Sequence, residues 1–149
     1  MYEYVRGDIT IKAKKAPSRK LREKDTTTTT TEVSRLIKTT IPVIGLHRWP
    51  GAKGKVPFLK NVHRHIFYIT VTVKVTDSDR EVEYFTLQYD IALAVNLLFK
   101  QTVMGYNFNT LSCEQISEKI GCYLIKQKYN VYEVETSEDH ESSSVVRYE

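Results

Sequence analysis

The sequence is poor in the residues that staple, span or export a chain. It has two cysteines in 149 residues, Cys113 and Cys122. They stand nine positions apart on what reads as a single helix, too far along its axis for a disulfide. Reduced thiols in a cytoplasmic protein are the expectation. No run approaches the roughly 20 consecutive apolar residues of a membrane span, so no membrane partner is expected. The first residues lack the apolar core of a signal peptide. An aromatic-rich nucleic-acid motif is also missing. Histidine is scarce, with only four copies, yet three of them fall between positions 47 and 65.

Tyrosine is abundant, with ten copies, and the formal net charge is +4. That charge is unevenly placed. Residues 1–31 carry eight Lys or Arg against four acids, so this arm holds the whole excess and the remainder is neutral. The arm ends in six threonines, Thr26 to Thr31, a low-complexity stretch that reads as a linker or extension. One short strand, Asp8 to Lys12, is predicted within it. A basic arm can contact nucleic acid or another anionic partner; the plainer reading is a solvated extension that keeps the protein soluble. The ordered domain is expected over 32–149, long enough to bury a core without staples.

The three clustered histidines are the candidate site. His63 and His65 lie in a run that alternates like a strand, Val62 to Val73. Side chains two apart on a strand share a face, so both imidazoles emerge together. His47 closes an earlier apolar stretch, Ile41 to Leu46. If the two strands are neighbours, His47 completes a three-nitrogen set with an open fourth position, the pattern of catalytic zinc. Two solvated imidazoles, or two hydrogen-bonded core histidines, would give the same short motif.

The remaining signals order the chain. Long strands are predicted over 33–47 and 62–76, separated by a Gly/Pro-punctuated loop around Arg48 to Lys55. A short return strand, Glu81 to Phe85, leads to a helix over 86–101 with an apolar stripe through Leu87, Ile91, Val95 and Leu98. A loop at 104–109 precedes a second helix over 112–127, whose Ser112 and Gln115 form a capping box. Closing strands are predicted at 131–136 and 145–148. The plan is α+β: a four-stranded antiparallel β-β-α-α-β-β sheet with both helices on one face.

This order with these histidines resembles the tunnelling-fold family of 6-pyruvoyl-tetrahydropterin synthase and 6-carboxytetrahydropterin synthase. The match covers about residues 33–149. The motifs that carry it are Leu46-His47-Arg48, Val62-His63-Arg64-His65, Ser112-Cys113-Glu114 and Val134-Glu135-Thr136. The resemblance implies a zinc ion on His47, His63 and His65. It also implies a pterin- or purine-like ligand whose N–H edge is gripped by Glu135, and a homo-oligomer whose sheets close into a barrel. Long exposed strand edges argue for self-association as well.

Two departures bear on activity. Family synthases carry a catalytic cysteine four residues before the first histidine of His-x-His; here that position is Leu59. They also carry an Asp-His pair between the helices, and residues 100–111 contain neither residue. Leucine cannot move a proton. The expectation is a zinc- and ligand-binding relative without standard synthase activity. One alternative is an active lyase of tetrahydropterin or deazapurine (queuosine-type) biosynthesis with displaced groups. Its candidates are Cys113 at a helix N-terminus, where the dipole favours a thiolate, and the adjacent Asp139 and His140. A second alternative is a nucleic-acid or protein-binding module using the basic arm.

Overall fold

Ile, Thr and Val dominate the stretch from Arg35 to His47 and the stretch from His63 to Val75, and each forms one 13-residue strand, β1 and β2. β-branched side chains pack well on a pleated surface. The two strands pair antiparallel in unbroken register from Arg35↔Val75 to His47↔His63. This computed structural model describes residues 31–149. The strand predicted over 8–12 and nearly all of the basic arm lie outside the described residues. Arg35–Glu149 forms one compact unit.

The predicted helices are α1, Tyr84–Leu98, and α2, Cys113–Lys126. The predicted return strand at Glu81–Phe85 does not form. Its two carboxylates cap backbone donors instead. Glu81 accepts from the Thr76 and Asp77 amides, and Glu83 is the N-cap of α1, accepting from Phe85 and Thr86. The capping box of α2 is present, with Ser112 and Gln115 each accepting the other's amide proton.

The region between the helices departs most from the prediction. It forms a hairpin of β3, Lys100–Thr102, and β4, Gly105–Asn109. β4 then runs parallel to the end of β1. After α2 come β5, Val131–Glu138, and β6, Ser142–Arg147. Among the described residues the sheet therefore has six strands, in the order β3-β4-β1-β2-β5-β6. It is mixed, not four-stranded and wholly antiparallel. The predicted four remain its contiguous core. Tyr106 and Phe108 share a face of β4, with Phe108 fully buried; that period-2 pattern hides behind the turn-forming Gly and Asn beside it.

Both helices lie on one face of the sheet, as expected. Phe67, Ile69, Val71 and Val73 of β2 pack with Leu87, Ile91 and Val95 of α1 and with Ile116, Ile120 and Leu124 of α2. The buried Ser117 and Thr136 hydroxyls satisfy each other at 2.7 Å. Tyr148, just past β6, reaches back to the Ser117 and Glu118 carbonyls of α2, holding the last strand against that helix.

One glycine is required by this packing. Gly45 lies opposite His65. A Cβ there would enter the Phe108 ring and come 2.8 Å from Phe67 Cδ2. Both rings are fully buried, so neither can swing away. Gly45→Ala should therefore lower stability by about 1–3 kcal/mol through overpacking, read as a lower urea midpoint at unchanged slope. A midpoint equal to wild type would show that the two rings yield.

Candidate metal centre

The register places the three histidines. His47 and His63 are paired residues of β1 and β2, and His65 follows on the same face. That face is the helix face, because His65 alternates with the buried Phe67, Ile69 and Val71. The imidazoles cap the open end of the core, with the His47 and His65 rings 5.2 Å and 5.7 Å from the Phe67 ring. Their own ring centroids are 4.6–5.5 Å apart. One nitrogen of each ring lies within 4.8 Å of the others, so the expected trio is brought together.

Each ring is held from behind. His47 Nδ1 is 3.1 Å from the Leu111 carbonyl, and His63 Nδ1 is 2.8 Å from the Asn61 carbonyl. His65 Nδ1 is 2.6 Å from Asp139 Oδ2. Carbonyl and carboxylate oxygens only accept, so all three Nδ1 atoms carry a proton and donate it. That leaves Nε2 of a neutral ring as a free lone pair. Three such rings, each with an outer partner fixing its tautomer, make a donor set that fits a zinc-type ion.

Burial pushes His47 below its ordinary value, against the opposing pull of the Leu111 carbonyl and the Glu138 charge. The His63 and His65 charges act in the same direction as burial. His47 is therefore neutral at pH 7, the form a metal needs.

The remaining candidates separate. Asp139 and His140 occupy the β5–β6 turn with φ of 51° and 60°, closed by a bond from the Glu141 amide to the Glu138 carbonyl. The pair thus takes left-handed backbone without glycine, in a three-residue loop between the paired Glu138 and Ser142. The loop sends the two side chains apart. Asp139 holds His65 and the Ile66 amide, which with nearby charges keep its carboxyl below the usual range. The His140 ring stacks on Tyr68, their centroids 3.3 Å apart. They are not an acid-imidazole pair.

Glu135 is not brought to the trio. Val134 and Thr136 face the helices, so Glu135 points to the opposite side of the sheet, where its carboxylate is 3.8 Å from Lys38 Nζ. The carboxylate on the histidine face is Glu138, which the sequence reading passed over by ending the strand at Thr136. Its Oε1 is 3.2 Å from His47 Nε2 and accepts from Cys113 Sγ at 3.3 Å. The alternation Val134, Thr136, Glu138 was the available signal.

Cys113 lies beside the site but not as a thiolate. Burial, followed by the Glu138 and Glu114 charges, pushes its thiol up to about 12. These outweigh the helix dipole. His47, Trp49, Leu59, His63, Cys113 and Glu138 line a cavity of about 350 Å³, within the range of small-molecule sites. Leu59 thus lies on the same wall as the imidazoles and offers no proton-transfer group.

The whole unit superposes on solved structures. It matches 6-pyruvoyl tetrahydropterin synthase from Caenorhabditis elegans with a TM-score of 0.55 at 12% identity, covering 78% of this chain and 97% of that one. The synthase from Plasmodium falciparum matches with a TM-score of 0.54 at 13% identity, covering 77% and 98%. The chain has the 6-pyruvoyl tetrahydropterin synthase fold. An uncharacterized protein from Wolinella succinogenes shares this synthase fold with a TM-score of 0.58 at 10% identity, covering 79% and 100%. No family model matches the sequence, and no curated protein does.

Two outcomes are expected. Because His47 is held low when folded, the unfolded chain takes up its proton first as pH falls. Metal-free protein should therefore hold this contribution above about pH 6.5 and lose it as pH drops through the folded value. His47→Gln should flatten that slope in urea melts at stepped pH; an unchanged slope would assign it to other groups. In alkylation at about pH 8 with peptide mapping, exposed Cys122 should react first and Cys113 should stay largely protected until denaturation. Equal rates would contradict the raised thiol.

Proposed function

We propose that this chain is a 6-pyruvoyl/6-carboxytetrahydropterin synthase-like protein that binds zinc and a pterin- or guanine-like ligand without standard synthase activity. The observation that carries the reading is the convergence of three imidazoles whose Nδ1 atoms are already committed to outer acceptors. Zinc bound there would supply Lewis-acid polarisation of a ligand oxygen. His47, His63 and His65 would hold it, and Asp139 and the Leu111 and Asn61 carbonyls would orient them.

The ligand class rests on the fold shared with the two synthases and on a cavity of suitable size. Loss of synthase chemistry rests on Leu59 at the cavity wall and on residues 100–111, which build the β3–β4 hairpin and hold neither Asp nor His. Glu135 remains the candidate for the ligand's N–H edge only through a second copy, since it faces away from the imidazoles of its own chain. A homo-oligomer closing a barrel fits the edges of the sheet. Among the described residues β4 covers only the Gly45–His47 end of β1, and Pro42 sits in the stretch left without an outer neighbour, where a missing N–H costs no ladder bond.

Metal analysis of purified wild type beside His63→Ala tests the metal. About one zinc per chain in the wild type, and its loss in the variant, are expected. Mass spectrometry of small molecules released on denaturation tests the ligand. Wild type without metal would sink the three-histidine site. Turnover of dihydroneopterin triphosphate would overturn the loss of activity and favour a rewired lyase.

A further inference from the structure

The carboxylate facing the trio has a geometry of its own. Glu138 lies opposite Phe67, on the face shared by His65, and its side chain turns toward the imidazoles, not out to solvent. Oε1 is 3.2 Å from His47 Nε2, and Oε2 is 3.8 Å from His65 Nε2. In a tetrahedral site with metal–ligand distances of about 2.0–2.1 Å, ligand atoms sit about 3.3–3.4 Å apart. The His47–Glu138 separation is close to that edge; the two contacts use different oxygens, and a turn of the carboxylate would set one oxygen against all three nitrogens.

Glu138 also lines the same cavity as His47 and His63. The Cys113 thiol donates to Oε1 at 3.3 Å, the kind of outer bond that steers a ligating carboxylate.

We propose that Glu138 is a fourth protein ligand, closing the three-histidine site into a His₃Glu centre. The proposal rests on the metal reading above and adds to it. Four protein ligands are the mark of a structural site, whereas a catalytic one keeps a position for water or substrate. The closed centre and Leu59 are then two separate departures with one effect. A ligand oxygen reaches the metal only by displacing Glu138.

Cobalt(II), whose visible bands report coordination, tests this on the full-length chain after metal removal. Wild type should give a tetrahedral-type spectrum that thiocyanate does not change. It should also hold steady from about pH 6.5 to 8.5, the range in which a metal-bound water would ionise. Glu138→Gln should bind cobalt on the order of 100-fold more weakly, at least the upper loss seen for outer-shell groups. Its spectrum should shift with thiocyanate and with pH. A wild-type spectrum that already shifts, or a variant of unchanged affinity, overturns the closed site while leaving the metal in place. Absence of any cobalt spectrum in the wild type overturns the metal reading itself. The wild-type arm is decisive even if Glu138→Gln fails to fold.

Discussion

The pairing of β1 with β2 is the constraint on which the rest of the structure depends. Thirteen residue pairs run without a bulge from Arg35↔Val75 to His47↔His63. Side-chain direction alternates along a strand, so a slip of one residue would move every buried side chain of β2 to the other face. Phe67, Ile69, Val71 and Val73 would leave the helices, and His63 and His65 would leave His47. Core and site are thus fixed by the same register. The hydrophobic burial that enforces one enforces the other, at about 1.5–3 kcal/mol for each large side chain removed from water.

Much of this was legible in the sequence because it depends on periodicity. Alternation over Val62–Val73 and the apolar stretch before His47 were enough to predict two strands with His63 and His65 on one face, and to place His47 beside them on the condition that the strands pair. The Ser112/Gln115 box marked the start of α2, and the apolar stripe located α1. Less legible were features that depend on partners distant in sequence. Glu83 reads as part of a strand until its carboxylate is seen capping α1. Tyr106 and Phe108 read as loop residues until β1 supplies a neighbour. Glu138 and Asp139 belong to the site because β5 continues two residues past the obvious strand, a length set by pairing with β2 and β6 and not by composition.

The site also shows why residue type and residue environment have to be read together. Cys113 has the helix-terminal position that activates thiols in other settings. Here burial and two carboxylates dominate, and the thiol becomes a hydrogen-bond donor. Asp139 and His140 are adjacent in sequence and diverge in space because the loop between β5 and β6 turns them apart. The imidazoles converge in a sequence only 10–13% identical to proteins of the same fold. Second-row contacts, two of them backbone carbonyls that no substitution removes, make that arrangement robust.

The turn at Asp139 and His140 has a thermodynamic consequence. Two non-glycine residues in left-handed backbone cost on the order of 1–3 kcal/mol each. One carboxylate helps to offset this by binding the Ile66 amide and the His65 ring together. The tightness of the β5–β6 hairpin and the orientation of an imidazole are therefore one equilibrium, not two. Whatever occupies the inward nitrogens stabilises the bound form by RT ln(1 + [L]/Kd), about 2.7 kcal/mol at a hundredfold excess over Kd. By linkage that energy reaches β6, the outermost strand on its side of the sheet among the described residues. Filling the site at one end of the core would stiffen the edge along which the sheet could be extended by another chain.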